Sequence, residues 1–206
     1  MSKIVRLAVT VALLASTIQA STAGPLGLTR YLGVQVAHLK PGSLTLGPMA
    51  YAQFCQRYQD QCRVRHPLFR GPPSIAANNR WDELVRINAE VNAAIEPSAN
   101  LAGLTGERWE IDPSQGDCND YAVTKRAHLL RKGWPARSLL LSEVITREGE
   151  HHLVLVVRTR QGDFVLDNLT REIRPWSRAP YEWVRIQVSR SPSLWAKLGS
   201  AGSRAS

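Results

Sequence analysis

The stretch QGDCNDYAVTKRAHLL, Gln115 to Leu130, decides the fold. It begins acidic and turn-prone, passes a cysteine and takes on helical periodicity. At about 100° per residue, Ala122, Val123, Leu129 and Leu130 share one side. Tyr121, Lys125 and His128 share the opposite side. The helix is expected to start near Asp117 and to end at Gly133, a residue suited to the position after a helix. Cys118 falls in the first turn, at the edge of the apolar side beside Ala122. Its thiol is therefore expected to point toward whatever the helix packs on.

Upstream, residues 79–95 place Trp81, Leu84, Val85, Ile87, Val91 and Ile95 near helical spacing, with Pro97 as a stop. A shorter helix fits 49–61, and Trp109 is an expected anchor in the loop at 97–116. Downstream, three β-branched and apolar runs at 138–146, 152–159 and 163–169 read as strands, with another at 182–188. Helices followed by an antiparallel sheet define an α+β domain.

The 206 residues include 44% apolar residues and six Trp, enough for one packed domain, placed at 24–198. Residues 1–23 read as a signal peptide: Lys3 and Arg6 form a basic start, Leu7 to Leu14 an apolar run, and small residues follow at Ala20 and Ala23. That run is far shorter than the about 20 residues needed to span a bilayer. No other stretch spans a membrane, so a periplasmic or secreted protein is expected. The tail at 199–206 is expected to be mobile. The formal charge of +9 is spread along the chain with no long basic run and no zinc-finger spacing, which argues against a nucleic-acid partner.

Three cysteines are present. Cys55 and Cys62 are close enough for a disulfide, which export permits. With His66 they would supply only three of the four ligands of a structural zinc site. Cys118 is left over, as an inert or a reactive thiol.

A thiol attacks as a thiolate and needs a base oriented by a third group. His152 opens a strand and Asp167 closes the next. A loop at Arg158–Gln161 would set His152 opposite Asp167, on one face and about 5 Å apart. A tight turn at Gln161–Gly162 would offset them by about 13 Å. The other face would carry Leu153, Leu155, Phe164 and Leu166 into the core. His151 is the alternative base, although alternation turns it with Leu153. Cys118 would attack a carbonyl carbon, His152 would hold the thiolate as an ion pair and then protonate the leaving amine, and Asp167 would orient the imidazole. The Cys118 N–H, with Gln115 as a second donor, would hold the oxyanion.

The segments GDCNDYAVTKRAHLLRKGWP, GEHHLVLVVRTRQGDFVLDNL and IRPW resemble the bacterial transglutaminase-like cysteine proteinases. That family includes LapG-type periplasmic proteases, which cut large adhesins from the cell surface. The resemblance implies a papain-like, transglutaminase-type core, with a Cys118 helix packed on a sheet bearing His152 and Asp167. It implies an exported endopeptidase acting through an acyl-enzyme on a protein substrate, such as a surface adhesin. The chemistry requires no cofactor, but the LapG type implies calcium near the nucleophile, here at Asp117, Asn119 and Asp120. Asn119 stands where the family usually has Glu, and its amide oxygen ligates without charge. Amide transfer by the same trio, or a non-catalytic binding module of the same fold, are the other readings.

Overall fold

The computed structural model describes residues 38–63, 80–99 and 107–199. The leader at 1–23, His66 and tail residues 200–206 lie outside the described residues. In chain order the elements are β1 (Leu44–Thr45), α1 (Met49–Arg57), α2 (Gln59–Cys62), α3 (Trp81–Ala94), β2 (Glu96–Pro97), β3 (Gln115–Gly116) and α4 (Cys118–Arg131). The remainder is β4 (Leu139–Ile145), β5 (His151–Thr159), β6 (Gly162–Leu166), β7 (Arg174–Pro175), β8 (Glu182–Val188) and β9 (Ser191–Lys197).

Seven strands form one antiparallel sheet in the order β1-β9-β8-β4-β5-β6-β7. Strands β4 and β5 lie at its centre, where near-continuous apolar runs are needed because both faces are covered. One face carries Leu139, Leu141, Leu153, Leu155, Val157 and Leu166, and packs on α3, α4, Tyr51 and Phe54. The other buries Leu140, Val144, Val154, Val156, Val165 and Ile186 with Trp176 and Trp183. The expected α+β class is therefore the observed one. Leu153, Leu155 and Leu166 enter the core as expected, whereas Phe164 is only half-buried, edge-on to Trp81.

Helix α4 forms where the sequence places it. Asp117 is its N-cap: its carboxylate accepts from the Asn119 N–H, and the Asp120 carboxylate reaches back to the Asp117 N–H at 3.0 Å, a reciprocal capping box. Gly133 takes φ +80 beyond the helix end, a conformation that favours glycine.

The two-sided reading of α4 fails. Tyr121, Lys125 and Arg126 are buried along with the apolar residues. The Tyr121 hydroxyl donates to Ile95 O at 2.5 Å, and the Arg126 guanidinium to Leu139 O and Gln61 O. Helix α3 covers the Tyr121 side. Its own reading holds except at Val85, which is exposed.

Strand β9 carries no clear signal in the sequence, because Pro192 interrupts it. Yet Trp195 in β9 is fully buried, and Pro192 O accepts from both Tyr51 and Gln187.

Candidate active site

The β5–β6 hairpin turns at Arg160–Gln161, with Thr159 paired to Gly162 and Leu155 to Leu166. This register lies between the two considered from sequence. Neither the four-residue loop nor the Gln161–Gly162 turn forms, because Gly162 spends its positive φ of 123 at the first strand position. Asp167 lies just past the last paired position, on the diagonal from His152 rather than directly opposite. The two side chains span that diagonal: His152 Nε2 meets Asp167 Oδ1 at 2.9 Å, both buried.

Asp167 also accepts from the Tyr181 hydroxyl on Oδ2 and from the Leu169 N–H on Oδ1 at 3.0 Å. Burial opposes its ionisation, but the His152 hydrogen bond and charge, with Tyr181 and Leu169, outweigh it and hold the carboxyl below its ordinary range. An ionised carboxylate only accepts, so His152 Nε2 is the donor in this bond. Tyr181 was missed from sequence; it lies in the loop before β8, where no periodic pattern marks it. Its ring also packs 5.6 Å from that of His152.

His151, the alternative base, is largely exposed and bonded through Nδ1 to Glu143 at 2.6 Å. His128 is half-buried and bonded to Asp112 at 2.6 Å.

Cys118 is the one free cysteine among the described residues; Cys55 and Cys62 form a disulfide that bridges α1 and α2, Cα atoms 5.5 Å apart. The Cys118 sulfur accepts a hydrogen bond from the Leu153 N–H, the residue after His152. The thiol thus meets β5 at its start. By alternation, His152 sits with Val154 and Val156 on the face turned from α4, and it is there that it meets Asp167. Burial pushes the thiol up to about 12 against the pull of Leu153, and the carboxylates of Asp117, Glu107 and Asp167 add to the rise.

Gln115, the suggested second oxyanion donor, gives its amide to Glu96 at 3.0 Å. Beyond Asp167 and Tyr181 opens a cleft of about 340 Å³, flanked by Arg147, Glu148, Leu169 and Thr170.

Each of the three residues suggested for calcium already makes hydrogen bonds. Asp120 accepts from the N–H groups of Glu110 at 2.7 Å and Asp117 at 3.0 Å, one on each oxygen. Burial, then the charges of Asp117 and Glu110, raise its carboxyl to about 6 despite those bonds. Asp117 is occupied with the helix N-terminus, and Asn119 turns its Nδ2 toward Glu107 at 2.6 Å. Among the described residues no cluster of three His, Cys, Asp or Glu side chains is arranged to hold a metal ion. No helix among them is long and apolar enough to cross a membrane.

Solved structures of LapG from Legionella pneumophila are similar. The calcium-bound form is 21% identical with a TM-score of 0.48, over 56% of this chain and 68% of that one. The EGTA-treated form gives the same identity and score over 56% and 66%. No curated protein matches the chain. A sequence profile of the bacterial transglutaminase-like cysteine proteinases (BTLCP) matches residues 41–203. With most of its length matched by that profile, the chain belongs to the bacterial transglutaminase-like cysteine proteinases.

Proposed function

We propose that the protein is an exported cysteine endopeptidase that cuts a protein of the periplasm or cell surface, with Cys118 as nucleophile, His152 as base and Asp167 as its orienting carboxylate. The observation that carries this reading is the 2.9 Å bond from His152 Nε2 to Asp167, made beside the Leu153 N–H that holds the Cys118 sulfur. Export rests on the leader-like residues 1–23 and on the disulfide.

A thiol raised to about 12 rests protonated. His152 therefore acts as a general base during attack rather than as the partner of a standing ion pair. As sulfur bonds to the substrate carbonyl carbon, its proton passes to His152 Nδ1. The carbonyl oxygen takes the negative charge and faces the Cys118 N–H at the start of α4. His152 then gives the proton to the leaving amine, the C–N bond breaks and a thioester remains. Water attacks the thioester, its proton passes to His152, and the departing sulfur recovers that proton. Asp167 stabilises the imidazolium formed in each half-reaction.

Calcium, which the family resemblance suggests, is not needed for any of these steps.

The test is cleavage of a fluorescent unfolded protein by the mature enzyme, by Cys118→Ala and by His152→Ala. Loss of cleavage in both, with the circular dichroism spectrum retained, is expected. Cleavage persisting in folded Cys118→Ala overturns the assignment. Incorporation of a fluorescent amine in place of hydrolysis would identify amide transfer instead.

A further inference from the structure

Lys125 lies on the nucleophile helix, two turns beyond Cys118, with none of its surface exposed. Among the described residues its Nζ has no hydrogen-bond partner. The ring of Tyr121 has its centroid 5.8 Å away. A buried amine without a partner is costly, and the proposed chemistry gives it no role.

Two contacts fix what faces it. Arg80 Nη2 donates to Lys132 O at 2.8 Å at one end of the α3–α4 pair, and Tyr121 donates to Ile95 O at the other. The helices therefore run antiparallel, and Lys125 comes level with the Asn88–Val91 turn of α3. Asn88, fully buried, gives its Nδ2 to Arg171 O at 3.3 Å. Asn92, one turn on, gives its Nδ2 to Asp167 O at 2.9 Å and Thr170 O at 3.4 Å. These bonds orient both amides, so both Oδ1 atoms face away from the loop carbonyls. Both oxygens are buried and have no partner. Lys125 also lies in the field of Asp167, which favours its charged form against the burial that lowers it to about 7. The antiparallel pairing thus puts one unpartnered donor and two unpartnered acceptors at the same level of the α3–α4 seam, near the Asp167–Arg171 loop. Buried waters occupy junctions of this kind, with about three hydrogen bonds each.

We propose that Lys125 is a positioning residue: its amine and the side-chain oxygens of Asn88 and Asn92 hold a buried water that ties the nucleophile helix to the loop carrying Asp167. The positioning role rests on the proposed peptidase reading; the water site does not. The water accepts from Nζ and donates one proton to each amide oxygen, and Asn92 passes the constraint to the Asp167 carbonyl. Asp167 is thereby held at the angle that His152 requires.

The test has two arms. A crystal structure of the mature protein at atomic resolution is expected to show a water within hydrogen-bond distance of Lys125 Nζ, Asn88 Oδ1 and Asn92 Oδ1. Direct contact of Nζ with a protein oxygen, with no water at the junction, overturns the site. In the kinetic arm, Lys125→Met keeps the stem and removes the amine. It should lower kcat about ten- to a hundredfold at unchanged KM, as a small misplacement of catalytic groups does. Lys125→Gln, which still donates to water, should recover part of the loss. A folded Lys125→Met with unaltered kcat overturns the positioning role. If Lys125→Met does not fold, Lys125→Gln and the crystal decide. If the wild-type protein cleaves nothing, the peptidase reading fails and the crystal alone judges the water.

Discussion

Tyr181 and His152 hold opposite oxygens of the same buried carboxylate, Oδ2 and Oδ1 of Asp167. The imidazole is oriented by a group that is itself fixed by a phenol from another segment. Tyr181→Phe removes one hydrogen bond to a charged acceptor and should cost about 1.5–3 kcal/mol of stability at pH 7. Asp167 has a depressed pKa in the folded protein, so its contribution is fully present above the unfolded value of about 4 and is lost as pH falls through the depressed one. The variant lacks part of that depression. Its deficit should therefore shrink between pH 7 and pH 3, as measured by urea unfolding at both. Cleavage should fall about tenfold, the equivalent of one pKa unit in the support given to the imidazolium. An equal deficit at both pH values would separate Tyr181 from the ionisation of Asp167.

The Cys118 thiol gives a second pH signature. Raised to about 12, it carries little thiolate at neutral pH. Alkylation by iodoacetamide should be slow at pH 7 and climb through the alkaline range, without a plateau near the reference value of about 8.5. Glu107→Gln removes one of the three carboxylates that push the thiol up. It should speed alkylation at pH 8, whereas an unchanged rate would show that the Glu107 charge does not reach the sulfur.

Gly116 owes its place to a close approach, not to its backbone angle. A Cβ there would overlap Asp120 Oδ2 and press on the Cβ and Cγ behind it. That carboxylate closes the capping box beneath Cys118. Gly116→Ala should cost about 1–3 kcal/mol by overpacking. Cleavage should fall further than the loss of folded protein explains, as read by activity per folded molecule.

Asn119 turns an amide toward Glu107 at 2.6 Å. In Asn119→Glu two carboxylates would face each other, a repulsion that a bound cation relieves. Calcium should raise the melting temperature of the variant more than that of the wild type, following mass action. Equal shifts in a thermal scan with calcium or EGTA would show that position 119 does not set calcium response.

What could be read from sequence was whatever local chemistry dictates. Asp117 and Gly133 mark the ends of α4, because a cap and a left-handed glycine act within one turn. The central strands announce themselves by composition, since both sheet faces are buried. The register of β5 on β6 could not be read: Gly162 looked like a turn residue but serves as the first strand position. Lys125 and Tyr121 fall opposite the apolar side in the sequence, and nothing local reveals that α3 lies over them. Tyr181 joins the site only through tertiary folding, and Pro192 disguises a strand whose ladder places Trp195 opposite Gln187.

The Cys55–Cys62 bridge clips α1 and α2 together across the break at Tyr58. This clipped unit is the floor beneath the approach to α4: Arg57 donates to Trp109 O, the Tyr58 hydroxyl accepts from the Ile111 N–H, and Gln61 O accepts from Arg126. Closing the bridge thus secures three contacts at once, so its reduction is expected to loosen the hold on Trp109, Ile111 and Arg126 together.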